Sequence, residues 1–176
     1  DEVDEVVKRS RDVVTESEKR LRDVVRRSKE IAEDSRRRVR EVVERLKEIV
    51  REVEERIGKD KKDVVREVRE RVKKVVEELE RLVKEDEDSS KRSVEEIRRL
   101  AERDKRSADE SVKELRKTTD RRVVEELLRR DEKSVEDSLR RVEKLVEDNR
   151  KTSEDIEREV RRLEEEVRKL VEDVTK

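Results

Sequence analysis

The chain has 176 residues, of which 61% are charged and 28% hydrophobic, with one Gly and no Pro, Cys, Met, His or aromatic residue. Its 53 Lys and Arg nearly balance 54 Asp and Glu, and the two signs alternate, so the one-sided basic field that nucleic acid or an anionic membrane requires is missing. Without Cys or His there is neither a disulfide framework nor an ordinary zinc site, and no apolar run approaches the roughly 20 residues that cross a bilayer.

So little apolar content is compatible with a disordered chain, a solvated single helix, or a bundle that buries a narrow stripe. Periodicity decides between them. In the first third the inward positions are Val3, Val6/Val7, Ser10, Val13/Val14, Ser17, Leu21, Val24/Val25, Ser28, Ile31/Ala32, Ser35, Val39, Val42/Val43, Leu46, Ile49/Val50, Val53 and Ile57. Steps alternate between three and four, and a shift of 18 carries Val3 to Leu21, Val39 and Ile57. Eighteen residues in five turns match the roughly 3.6 residues per turn of an unstrained helix, whereas a strict heptad imposes a left-handed supercoil. The spacing therefore predicts long, nearly untwisted helices.

Gly58 stands where a helix C-terminus wants a left-handed residue, and Asp60 is placed to N-cap a second helix, with Asp63 in the position of a capping-box acid. That helix carries Val64/Val65, Val68, Val72, Val75/Val76, Leu79, Leu82/Val83, Asp86, Ser89/Ser90, Ser93/Val94, Ile97, Leu100/Ala101, Asp104, Ser107/Ala108, Ser111/Val112 and Leu115 inward. Continuing its phase would bury Arg122, Arg130 and Lys133, which the cost of buried charge forbids. The phase breaks near Thr118 and Thr119, and Asp120 is the natural cap of a third helix. Its inward face runs Val123/Val124, Leu127/Leu128, Asp131, Ser134/Val135, Ser138, Val142, Leu145/Val146, Asn149, Thr152/Ser153, Ile156, Val160, Leu163, Val167, Leu170/Val171 and Val174.

The expectation is an all-α, up-down-up antiparallel three-helix bundle forming a single domain over residues 1–176, with helices at about 1–57, 60–117 and 120–176, each about 85 Å long at 1.5 Å per residue. Paired apolar positions widen each stripe, as a helix touching two neighbours needs.

Polar residues interrupt the inward faces and obey the same repeat: Ser10 maps to Ser28, Ser17 to Ser35, Asp86 to Asp104, Ser89 to Ser107, Ser93 to Ser111, Asp131 to Asn149, and Ser134 to Thr152. Folding the chain at its two turns sets Asp104 and Asp131 level with each other between Ser10 and Ser17, with Ser107, Ser111, Ser134 and Ser138 nearby. It sets Asp86 and Asn149 between Ser28 and Ser35, with Ser89, Ser90, Ser93, Thr152 and Ser153. Two polar layers result, while the third copy of the module, Leu46, Val53, Val68, Val75, Val167 and Leu170, is apolar. Over its whole length the sequence resembles de novo designed helical bundles with buried hydrogen-bond networks, a likeness of pattern with no homologous motif behind it.

A buried hydroxyl or carboxyl without a partner forfeits about 1–3 kcal/mol. Ser and Thr can donate to Asp or Asn on another helix in one register only, so the layers are expected to specify helix pairing. In the alternative, each hydroxyl bonds the carbonyl one turn back on its own helix and the acids reach solvent. No catalytic motif is present, so neither an enzyme nor a cofactor is expected. Asp104 and Asp131 with their hydroxyls are too thin a shell to expect Ca²⁺ or Mg²⁺. The expected function is a designed structural scaffold: soluble, with no natural localisation and cytosolic on recombinant expression. It is monomeric, with no nucleic-acid or membrane partner. The alternative is a subunit whose helices pair with another chain as a homo-oligomer or by helix exchange.

Overall fold

A computed structural model describes residues 2–57, 61–118 and 120–176. They form three helices, α1 (Glu2–Ile57), α2 (Lys62–Lys117) and α3 (Arg121–Thr175), with no strand among the described residues. The expected caps Gly58 and Asp60 lie outside the described residues. Asp63 sits in the first turn of α2, where a carboxylate suits the positive end of the helix dipole. Asp120 caps α3: its Oδ1 accepts from the Arg122 N–H at 2.9 Å and its carbonyl accepts from the Val124 N–H at 3.2 Å. Thr118 Oγ1 accepts from the N–H of Asp120 in turn, at 3.2 Å. The phase break does what charge burial demands, since Arg122, Arg130 and Lys133 all have exposed side chains.

Burial follows the 18-residue spacing. Leu79, Ile97 and Leu115 are all buried, as are Leu127, Leu145 and Leu163, and no large hydrophobic side chain is exposed among the described residues. The chain is an all-α bundle. Its backbone contacts divide it into two compact units, the first made of Asp1–Lys29 and Ser90–Asn149, the second of Glu30–Ser89 and Arg150–Lys176. Each unit contains one segment of every helix.

Helix directions can be read from side-chain pairs within each unit. In the second unit, α1–α3 pairs have numbers that rise together, as in Ser35 with Ser153, Arg38 with Glu157 and Arg45 with Glu164, so these helices run parallel. The α1–α2 pairs Arg36 with Glu87 and Arg69 with Glu54 run in opposite order, which makes α2 antiparallel to α1. In the first unit, Ser10 of α1 meets Asp131 of α3 and Arg9 meets Glu132, two neighbouring contacts that fix the level of the helices and not their direction. Ser93 with Asn149, Arg141 with Glu96 and Ser111 with Asp131 mark α2 and α3 as antiparallel. This is the up-down-up order expected of short connections.

The units differ inside. The second has one continuous apolar core, in which Leu46, Val68, Leu79 and Val167 are wholly inaccessible to solvent. The first has two smaller apolar clusters, one around Val7, Val112, Leu115 and Leu127, the other around Leu21, Ile97, Val142 and Leu145. Outside, Arg–Glu pairs such as Arg140–Glu136 and Arg20–Glu16 follow the i,i+4 spacing. They sit in water and individually add only about 0.3–0.5 kcal/mol.

The cores, then, carry most of the stability. Leu46→Ala is expected to cost about 2–5 kcal/mol through lost transfer energy and the cavity left behind, read as a fall in the urea midpoint. Arg140→Ala, on an exposed turn, is expected to cost less than about 0.5 kcal/mol in the same experiment.

Candidate functional site

The buried polar residues of the first unit form the candidate site. Helix periodicity puts Asp104, Ser107 and Ser111 on one face of α2, and Asp131, Ser134 and Ser138 on one face of α3. These faces meet the inward face of α1 at Ser10. Asp131 is 3% exposed, and its carboxylate takes hydroxyl donors from both other helices. Ser10 Oγ of α1 donates to Oδ2 at 3.0 Å, while Ser111 Oγ and Ser107 Oγ of α2 donate to Oδ1 at 2.9 and 3.3 Å. Hydrogen bonds to a charged acceptor are the stronger kind, worth about 1.5–3 kcal/mol each.

Asp104, also 3% exposed, reciprocates from α2. Its Oδ1 accepts from Ser134 Oγ of α3 at 2.7 Å, and the Arg103 guanidinium approaches the same oxygen at 3.6 Å. Arg103 Nη2 crosses to α3 and donates to Ser138 Oγ at 2.9 Å. Arg130 Nη2 crosses the other way, donating to Ser111 Oγ at 2.8 Å. Ser111 therefore accepts from one group and donates to another, a use of both hydroxyl functions that suits a side chain with no solvent access.

The arginines were not among the candidate residues of the sequence, yet the sequence holds a sign of them. The string Arg-Asp-x-x-Ser-x-x-x-Ser occurs twice, at 103–111 and at 130–138. Two copies running antiparallel place the Asp of each near the serines of the other, and each Arg beside the last Ser opposite. A long aliphatic stem lets the Arg lie along the helix with its head at the seam, so an exposed position in the heptad-like count does not bar it from the cluster.

Two atoms of this unit are left over. Ser17 Oγ and Asp104 Oδ2 are buried without a hydrogen-bond partner. Farther along the same unit, Ser93 Oγ donates to Asn149 Oδ1 at 3.3 Å; Ser28 is buried and Ser90 half-buried. Asp104 and Asp131 are thus occupied by hydroxyl donors from opposite helices, and among the described residues no group of three or more acidic side chains converges as a metal site would require.

In the second unit Ser35 and Ser153 share a hydrogen bond at 3.3 Å, and Ser89 and Thr152 are half-buried. Asp86 is 7% exposed with Oδ2 unpartnered. Arg36 of α1 stands near it, but its Nη1 goes to Glu87 Oε1 at 3.2 Å and its Nε has no partner. The string that precedes Asp104 and Asp131 with Arg has Glu85 before Asp86 instead, and the cation that acts on this acid is Arg36 of α1. Burial pushes the Asp86 carboxyl above its ordinary value; the Arg36 charge opposes that rise and Glu87 adds to it.

A carboxyl whose pKa is raised by folding favours the native state when protonated. Its contribution is fully present below the ordinary carboxylate range and is lost as pH rises through the folded value. Asp86→Asn mimics the protonated form and is therefore expected to be more stable than the parent at pH 7, with the difference shrinking towards pH 3. Urea midpoints at the two pH values check this, and a gap that widens on acidification contradicts it.

Among the described residues no helix is long and apolar enough to cross a membrane. Comparison with known protein families, characterised proteins and solved structures gives no match, so the chain is characterised by what its own geometry contains: a three-helix bundle with buried Ser–Asp hydrogen bonds.

Proposed function

We propose that this chain is a structural scaffold, a de novo designed bundle whose inward Ser, Asp, Asn and Thr residues specify how its helices pair. It has no natural substrate, cofactor or catalytic role, and it works as a soluble monomer. The observation that carries the reading is the single Asp131 carboxylate accepting from Ser10 of α1 and from Ser107 and Ser111 of α2. An apolar contact tolerates a slipped or rotated neighbour, whereas these bonds have direction and one acceptor in common. A misplaced helix leaves buried hydroxyls and a buried charge without partners, at about 1–3 kcal/mol for each neutral group and more for the charge. The regular 18-residue spacing and the duplicated Arg-Asp-x-x-Ser-x-x-x-Ser string support a designed origin, because apolar period and polar placement point to the same packing. Hydroxyls that donate between helices also weigh against the alternative in which each bonds its own helix one turn back.

The test replaces the whole cluster with apolar groups, as Ser10→Val, Ser107→Ala, Ser111→Val and Asp131→Leu together. The expected protein melts at or above the parent temperature, since apolar replacement of buried polar groups is often neutral or stabilising. It is also expected to lose its single set of amide resonances or its single mass. A variant that keeps one spectrum and one mass overturns the proposal. For the parent, light scattering in line with size exclusion is expected to give the 21.3 kDa of one chain; a multiple of that mass favours an assembling subunit instead.

A further inference from the structure

The three helical segments of the first unit are not held equally. Between α2 and α3 the bonds cross in both directions: Asp131 with Ser107 and Ser111, Asp104 with Ser134, Arg103 with Ser138, Arg130 with Ser111, Arg141 with Glu96 through two nitrogens, and Ser93 with Asn149. The α1 segment contributes Ser10 to Asp131 and the exposed pair of Arg9 with Glu132 at 3.7 Å. Among the described residues of this unit no side-chain hydrogen bond or ion pair joins α1 to α2. Ser17 Oγ on α1 and Asp104 Oδ2 on α2 are each buried without a partner.

Packing repeats the asymmetry. A groove of about 410 Å³ opens along the α1–α2 seam over Leu21, Val25, Ile97 and Ala101. The small Ala101 takes the place that Val83 holds one repeat earlier. A second groove, of about 330 Å³, opens along the α1–α3 seam beside Val3, Val6, Val124 and Leu128. The α1 segment is thus flanked by gaps on both sides, while its buried residues Val7, Val14 and Leu21 still give it an apolar face.

We propose that the α1 segment Glu2–Lys29 is an exchangeable element, and that the α2–α3 surface it covers is a docking site for a second copy of that segment. The surface offers two apolar clusters, which take the Val and Leu side chains, separated by the Asp131 carboxylate, which takes one hydroxyl. A helix with valines three to seven residues before a serine, and a leucine and valines eleven to fifteen residues after it, matches this order, and residues 2–29 carry that pattern around Ser10 with Val7 and Leu21 as the buried anchors. The α2–α3 pair keeps its own bonds when α1 leaves, so opening uncovers a formed surface. The inference rests on the reading of the polar cluster as the device that sets pairing, and it adds which member of the set is released.

The test uses the full chain with two measurements. Native-state hydrogen exchange followed by mass spectrometry is expected to show amides of 2–29 exchanging at least tenfold faster than those of 90–117 and 121–149. A fluorescent peptide of residues 1–29 is then titrated with the chain. Saturable anisotropy is expected, strengthened at least tenfold by Val7→Asp in the chain, which weakens the resident segment, and abolished by Leu21→Asp in the peptide. Equal exchange in the three segments, no saturable binding to the Val7→Asp chain, or binding that survives Leu21→Asp in the peptide each overturns the inference. Such a failure leaves the scaffold reading intact, because that reading stands on the spectrum and mass of the four-residue variant.

Discussion

A carboxylate removed from water must recover its lost hydration from nearby donors, and in this chain that demand falls on Asp131. A buried ion without partners is among the most costly things a fold can contain. Three serine hydroxyls meet the demand, one from α1 and two from α2, and a hydroxyl reaches only about 3 Å. The axial position and the rotation of both neighbours are therefore tied to one side chain of α3. The apolar clusters on either side supply attraction but little direction, because valine packs on valine in many arrangements. Burial and direction are divided between different residues on the same faces.

The apolar face was legible because it repeats. Val, Leu and Ile at helical spacing marked the three helices, and the refusal to bury Arg122, Arg130 and Lys133 located the second turn, where Asp120 does cap α3. The polar positions were legible as interruptions of the same pattern. What the pattern could not supply was partnership. Spacing places Asp104 between Ser10 and Ser17, yet whether two side chains meet depends on rotamers and on a few degrees of helix rotation, and Ser17 finds no partner.

Arg103, Arg130 and Arg36 were missed for a different reason. Periodicity classifies a residue by where its Cα points, and a long cationic side chain escapes that classification because its head lies several bonds away. Arg103 and Arg130 reach the seam from outside it, each donating a hydrogen bond to a serine on the neighbouring helix. In a region with buried carboxylates they also supply compensating charge. Asp86 shows what happens without an arginine beside it in sequence: the guanidinium whose charge acts on it, that of Arg36, is engaged by Glu87, and burial governs the acid's titration.

A sequence that repeats every 18 residues carries a hidden hazard. Sliding one helix past its neighbours by one full repeat, about 27 Å at 1.5 Å per residue, brings aliphatic side chains back over aliphatic side chains, so hydrophobic attraction alone barely distinguishes the shifted arrangement from the native one. The paired Arg-Asp-x-x-Ser-x-x-x-Ser strings weaken that degeneracy, because one repeat away the serines recur as Ser28, Ser89 and Ser93 but Glu85 stands where the equivalent of Arg103 belongs, so the shifted acid meets hydroxyls without the accompanying cation. Like the teeth of a key cut at one depth along an otherwise uniform blade, two arginines beside two acids, together with an apolar third copy, turn a translationally degenerate pattern into a single address.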